Sequence, residues 1–544
     1  MKIAADCSHP VHAPANSRAA FLSAWIAGAD ALRLPVRLTK DGHPVVVEAE
    51  TTDDATGQSG RIADLTLKEL RAMDFGKTFK DGDGAPFAYP ARIETFALLL
   101  DALPAEAWLL VEIKPEADPK RRDKLVAGVV GAARNRGTAD RLLVYSSDPE
   151  VLKAARRTLP GLAVAAYAPD AEASAAVDAA AAAEADAVAL PAAAVVGADG
   201  NLTDAGRKVE GLAAAGRLRL GAVLLSAGGL DAGQHGALKN RPWAWGLTAD
   251  SLLDAAAAVR PGWLWIEEDW SARAADHDDV NADLWHLGYA KYNPERYCHV
   301  YPDNGIHIDI KPFQGPVAYK PTGDEVKDQQ ERLLERTWES IRDWPFYSGG
   351  GVGFAVGIVG DFAAEVDVES VAAQQATTVE MAALNVDPAT HRKPWKQKEN
   401  GDWVPNYPES FRDKHTCFDP HGAPPYVGVE HDEDDGWRIN WNLGIDYDSN
   451  QYGRPAGDGK LLTGRMRLDR RGNHFAAYYR ATGKDGARHW VCVGAVRNDS
   501  LNPKVFLRLA GKRWRQENPD KPSEFMPVIP NHFTFRNMTI TRFV

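Results

Sequence analysis

Two glutamates each follow an apolar run: Glu48 in PVVVEAE (44–50) and Glu112 in WLLVEIK (108–114). Two carboxylates facing each other across a cleft can serve as general acid and base in glycoside hydrolysis, their spacing setting the stereochemical outcome. Lys114 and Arg33 would add fixed positive charge for an anion or a hydroxyl group. Asp6 closes the run KIAAD (2–6) and adds a third carboxylate. A second set of candidates is aromatic, because the faces of Trp and Tyr stack on sugar rings. Trp395 and Trp403 lie in the polar stretch HRKPWKQKENGDWVPNYPES, and Trp437 and Trp441 share a face if 437–441 forms one strand. The acidic clusters EHDEDDG (430–436) and DYDSN (446–450) carry the oxygen ligands that Ca²⁺ prefers. Neither has the spacing of an EF-hand, and a solvated hairpin turn is the plainer reading.

The elements that would carry these residues follow two grammars. From residue 1 to about 270, short apolar runs alternate with Ala/Leu-rich helical stretches: 2–6, 31–38, 44–50, 108–114, 141–147, 162–168, 186–192, 220–225, 243–248 and 263–268 read as strands. Repeated strand–helix units demand right-handed crossovers and a parallel sheet, and this many of them predict a (β/α)8 TIM barrel. Such barrels work at the C-terminal ends of their strands. Asp6, Glu48, Glu50, Glu112, Lys114, Tyr145, Tyr167, Glu267 and Glu268 are expected there. The Ala-rich stretch 171–194 reads as a crossover helix leading into a strand, and Thr66 to Glu69 as a capping box. After about residue 275, Pro, Gly, Asn and aromatics rise and strands alternate with period two. FAAEVDVES (362–370) shows it most clearly. This predicts an all-β antiparallel jelly-roll sandwich. The expected organisation is a barrel over 1–275, a linker over 276–300 and a sandwich over 301–544, with a helix at 324–344.

Composition narrows the function. The 544 residues hold 63 Lys plus Arg against 75 Asp plus Glu, a formal charge of −12, with 44% hydrophobic residues. An acidic balance without a basic run argues against nonspecific nucleic-acid binding. No apolar stretch reaches the length of a membrane span. Cys7, Cys298, Cys417 and Cys492 stand far apart with no CxxC, so neither a zinc knuckle nor a disulfide framework is expected. The N-terminus lacks an apolar signal core and reads as a strand, which suits the cytoplasm; a chain trimmed of a secretory or periplasmic leader would read the same.

PANS (14–17), AAF (19–21), GAD (28–30), TKDG (39–42) and PVVVEAE (44–50) recur in an order and spacing that resemble glycerophosphodiester phosphodiesterases. DLTLKEL (64–70), VEIKPE (111–116) and SSDPEVLKAARRTLPGLAV (146–164) extend the resemblance over most of 1–270. It implies a barrel with a His acid/base pair, an Arg beside the first His, and a divalent metal held by carboxylates at strand ends. Carried over by position, the first His-Arg pair falls on Asp6 and Cys7, and the metal-binding Glu-x-Asp on Arg33 and Pro35. The second His-Asp pair falls on Glu48 and Ala49, and the Glu of the PENT-like motif on Ala15. Glu112 and Lys114 keep the family's Glu-x-Lys; His9 and His12 lie near the first His position. A guanidinium has only donors and stays protonated, so Arg33 cannot ligate a cation. The expectation is that Arg33 takes the metal's electrostatic place, pairs with Glu48 and Glu112, and leaves the barrel without metal-dependent activity. A retired site and a rebuilt metal-free hydrolase both remain open, as does activity surviving through His9 or His12.

The second half resembles the concanavalin-A-like group of glucanase, lectin and laminin-G-type modules, through GVGFAVGIVGDFAAEVDVES (351–370), RMRLDRRGNHFAAYYRATGKDGARHWVCVGAV (465–496) and FRNMTITRF (535–543). That resemblance implies a sandwich that binds or processes a carbohydrate-type ligand. If the sandwich were the catalyst, Glu365 with Asp367 or Glu430 with Asp432 would be its carboxylates. No cofactor is predicted; the partner expected is a small-molecule or carbohydrate ligand.

Overall fold

The computed structural model describes residues 2–6, 13–80, 87, 90–167, 172–225, 232–239, 241–248, 263–267, 285–286, 298–302, 305–310, 347–354, 356–371, 377–385, 395–397, 403–405, 425–432, 436–443, 449–452, 461–481, 490–514, 517–518, 521–525 and 530–542. The chain divides into two compact units, Met1–Arg260 and Pro261–Val544.

In the first unit the strands are β1 (Lys2–Asp6), β2 (Ala31–Leu38), β3 (Pro44–Val46), β4 (Trp108–Ile113), β5 (Leu142–Ser146), β6 (Ala163–Tyr167), β7 (Ala187–Pro191), β8 (Gly221–Leu225) and β9 (Ala244–Thr248). All but β3 run parallel, and β1 pairs with both β2 and β9, which closes the sheet into the (β/α)8 barrel. Buried on both faces, these strands read as near-continuous apolar runs. Ala4, Ala31, Leu110, Leu143, Ala165, Ala187, Ala189 and Val223 pack together in one cluster. The helices Pro119–Asn135 and Pro149–Thr158 start with proline in their first turn, behind Asp118 and Asp148, whose side chains accept from the helix backbone. The Ala-rich stretch resolves into the helix Ala173–Ala182 and strand β7.

TKDG builds the turn that carries Glu48. Gly42 takes a positive φ of 86°, and the Thr39 N–H donates to the His43 carbonyl, so the chain doubles back from β2 into the antiparallel β3. PVVVEAE is therefore a hairpin arm beside the barrel and not one of its staves. The helix Leu67–Ala72 opens on the expected capping box between Thr66 and Glu69. Thr66→Ala should cost the first unit about 1 kcal/mol, read as a lower urea midpoint at unchanged slope; an unchanged midpoint would show the cap to be idle.

Two large antiparallel sheets dominate the described residues of the second unit. One runs in the order Cys298–Pro302, Ile306–Ile310, Asn531–Arg542, Phe362–Val371, Leu461–Arg471, His474–Ala481, Val491–Arg497. The other runs Trp285–His286, Tyr347–Phe354, Lys504–Trp514, Thr377–Leu384, Tyr426–Asp432, Gly436–Asn442, Ser449–Tyr452. They pack as a sandwich: the ring of Phe533 lies against Gly511 of the opposite sheet, where a Cβ would stand 2.4 Å from it. In Phe362–Val371 the predicted alternation holds, with Phe362, Ala364, Val366 and Val368 buried. One strand expected in the barrel belongs here instead. Trp263–Glu267 pairs antiparallel with Asn531–Arg542 of the second unit, so Glu267 does not end a barrel strand. Glu268, His9, His12, Cys7 and the helix expected at 324–344 lie outside the described residues.

Candidate functional site

The barrel mouth is assembled by side chains one step above the apolar layer. Period two places Asp6 above Ala4, Arg33 above Ala31, Glu112 above Leu110 and Tyr145 above Leu143. The strand register sets their neighbours, Asp6 beside Arg33 and Glu112 beside Tyr145. Glu48 arrives from the hairpin arm. The Val47 N–H donates to the Pro35 carbonyl (2.8 Å), and Arg37 donates from Nε and Nη2 to the Glu48 carbonyl (3.1 and 2.9 Å).

Arg33 is the hub. Its Nη1 donates to Asp6 Oδ1 (2.9 Å), its Nε to Tyr145 Oη (2.7 Å), and its Nη2 to Glu112 Oε2. The same Nη2 lies 2.6 Å from Glu48 Oε2 as an ion contact outside hydrogen-bonding alignment. Lys114 Nζ bridges the two glutamates, 2.5 Å from Glu48 Oε1 and 2.6 Å from Glu112 Oε1. Tyr145 Oη donates its own O–H to Glu112 Oε2 (3.0 Å). Arg33 is 8% exposed and Glu112 7%, whereas the Glu48 side chain keeps 37% of its surface in solvent.

Electrostatics follow from this geometry. Burial works to lower the Arg33 pKa, but Tyr145, Asp6, Glu112 and Glu48 outweigh it and raise the pKa above its ordinary value. Burial works to raise the Glu112 pKa, and Arg33 and Lys114 overcome it, holding that carboxylate below its usual range. Burial pushes the Tyr145 phenol well above its usual pKa, so it remains a donor at neutral pH. Glu112 is thus ionised, with both oxygens already accepting. A general acid must carry a proton at working pH, and Arg33 and Lys114 oppose one there.

The expected residues Asp6, Arg33, Glu48, Glu112 and Lys114 therefore meet in one network. Sequence reasoning named Tyr145 only as a strand-end residue and passed over Arg37. The sandwich candidates fare differently. Trp437 is 5% exposed and its ring stacks on Tyr479, centroids 5.0 Å apart and planes within 3°. Its face is occupied inside the sandwich, which corrects its expected role as a sugar platform. Trp441 lies on the same strand and the same face, half-buried. Trp395 and Trp403 fall on a small antiparallel ladder, Gln397 opposite Trp403, and their side chains lie outside the described residues. Of the acidic residues weighed for Ca²⁺, Glu430 is fully buried and paired with Arg438, not solvated in a turn; 433–435 and 446–448 lie outside the described residues. Glu365 and Asp367 are engaged by Arg465 at 2.9 and 2.8 Å.

Residues 8–220 match the glycerophosphoryl diester phosphodiesterase family. A glycerophosphodiester phosphodiesterase of Caldanaerobacter subterraneus subsp. tengcongensis is 43% identical over 91 residues, 16% of this chain and 36% of that protein. One from Bacillus altitudinis is 38% identical over 72 residues, 13% of this chain and 29% of that protein. The chain thus spans about a third of the length of these curated relatives. The crystal structure of a glycerophosphodiester phosphodiesterase from Agrobacterium tumefaciens str. C58 aligns with 47% of this chain and 100% of its own, at 20% identity and a TM-score of 0.37. The family match and the parallel barrel fall on the same stretch of sequence, so the N-terminal unit carries a domain of the glycerophosphoryl diester phosphodiesterase family.

Proposed function

We propose that this domain has given up metal-dependent phosphodiester cleavage and that its mouth is held shut by ion pairs, while the sandwich, of concanavalin-A-like type, binds a carbohydrate-type ligand. The observation that carries the first half is the Arg33 guanidinium seated among Asp6, Glu48, Glu112 and Tyr145. The donor set does not fit the family's divalent ion. The carboxylates that would ligate it converge on a permanent cation, and Lys114 adds a second positive charge beside two of them. A divalent ion in their midst would face like charge at contact range. The carbohydrate half rests on the sandwich architecture and on its polar sheet face.

The test is turnover of bis(p-nitrophenyl) phosphate and of glycerophosphodiesters by the full chain, with Mg²⁺, Ca²⁺ or Mn²⁺ and with chelator. Turnover at the uncatalysed rate under every condition is expected. Chelator-sensitive hydrolysis would refute the proposal. The rival rebuilt hydrolase depends on Glu48, the accessible carboxylate. Glu48→Gln should leave any polysaccharide or phosphoester turnover unchanged, and a loss of a hundredfold or more would favour that rival.

A further inference from the structure

We infer that the polar face of the first sandwich sheet holds a binding groove for an acidic saccharide, a ligand that joins a carboxylate to vicinal hydroxyls; this rests on the carbohydrate reading above and gives it a site. The groove measures about 330 Å³, within the range of small-ligand pockets. Strand register builds it: Arg536, Asp367, Arg465 and Arg480 lie directly across four adjacent strands in one row, and Glu369 stands two residues from Asp367 on the same face. The opposite face of that strand is buried through Val366 and Val368.

Three features set this row apart from an ordinary solvated sheet face. Its lining sets three guanidiniums against two carboxylates, a local excess of positive charge in a chain of net charge −12. Arg465 and Arg480 are direct cross-strand neighbours; Glu365 and Asp367 offset the charge of the first, and a bound anion would add a counter-charge beside the second. The strand Asn531–Arg542 shifts register against Phe362–Val371 where Asn537 takes a positive φ of 51°, and its Nδ2 donates to Asp367 Oδ2 (2.7 Å). Bulges re-aim side chains beside sites, and a non-glycine residue at positive φ stores strain.

The groups divide the recognition. Arg465 is fixed by Glu365, Asp367 and Thr539 and acts as scaffold. The Arg480 guanidinium sits over the Trp490 ring, 4.7 Å from its centroid, where stacking orients its plane. The Arg536 and Glu369 side chains are 39% and 37% exposed and 3.4 Å apart. Exposed pairs of this kind are weak, so a ligand carboxylate can displace Glu369 from Arg536 at little cost. Asp367 and Glu369 accept from hydroxyls, and Asn537 can both donate and accept. Charge-assisted bonds to the ligand carboxylate supply affinity; the carboxylate and amide oxygens supply selectivity for a sugar.

The experiment is calorimetric titration of the full chain with oligogalacturonate, with the neutral oligosaccharide of the same linkage, and with sodium sulfate. Oligogalacturonate should bind at least tenfold more tightly than the other two and weaken with added NaCl. Arg480→Gln and Arg536→Gln should each lose tenfold or more, while Arg497→Gln, an exposed control paired with Asp499, should lose nothing. Binding of the neutral oligosaccharide equally well, untouched by either groove variant, would overturn the groove and leave the carbohydrate reading standing. Sulfate binding as tightly as the oligosaccharide would overturn the ligand class. No saccharide binding at all would overturn both readings.

Discussion

Arg33→Met should destabilise the barrel by about 3–5 kcal/mol at neutral pH, the range for removing one partner of a buried charge pair. The side chain lost is the one that holds Asp6, Glu48 and Glu112 together, and Lys114 is left as the one cation contacting both glutamates. Methionine fills similar volume, so the change is electrostatic more than steric. The pH profile separates the two. Glu112 has a folded-state pKa depressed below its unfolded value near 4.3. Its contribution to stability is therefore present above that unfolded pKa and lost as pH falls through the folded one. The variant lacks the main source of the depression. The gap between it and the parent chain should be widest above about pH 5 and should shrink as acid protonates the carboxylates. Equilibrium denaturation across pH 3–8, with hydrogen exchange on β1, β2 and β4 to localise the effect, measures it. A gap that stays constant with pH would assign the loss to packing and sink the electrostatic account of the mouth.

That cluster was legible because the family resemblance set Arg33, one of two arginines in ALRLPVRL, where a carboxylate would ligate a metal, which gave its guanidinium a reason to pair with Glu48 and Glu112. Glu112 and Lys114 were legible by the same logic. The identity of all the partners was not. Tyr145 lies 112 residues from Arg33, and its place beside Glu112 follows from strand register alone. The barrel strands were readable as apolar runs. Trp263–Glu267 carries the same signal and joins the other unit, because apolar periodicity reports burial and says nothing of the neighbour. PVVVEAE misled for a related reason: three residues of antiparallel hairpin look like the start of a stave, and only the turn at Gly42 distinguishes them. Trp437 shows the limit for aromatics. A platform and a core ring have identical sequence signatures, and the stacking of Tyr479 from the opposite sheet decides between them.

Glu380 and Arg508 form a buried ion pair on the second sheet that sequence reasoning passed over, and they carry the second large expected effect. Both side chains are 1% exposed, and Arg508 donates from Nε (2.9 Å) and Nη2 to Glu380 Oε1 across neighbouring strands. They lie 128 residues apart, so no local pattern joins them. Glu380 also faces Glu430 directly across the next strand, where Arg438 pairs with it. A buried ion pair contributes little net stability, since desolvating two charges offsets most of their attraction. Removing one member is a different matter. Glu380→Leu takes away the carboxylate that receives two Arg508 N–H groups and should cost the second unit about 3–5 kcal/mol. Arg508→Met should cost a similar amount by setting Glu380 against Glu430 without its guanidinium. The double variant Glu380→Leu/Arg508→Met should recover most of the loss, because an apolar pair of similar volume needs no desolvation. Denaturation of the full chain, with hydrogen exchange on Thr377–Leu384 and Lys504–Trp514, reads the cycle. Additive losses would mean that the two residues act independently despite their contact. Single variants within about 1 kcal/mol of the parent would mean that water reaches the pair and the sheet face is not sealed.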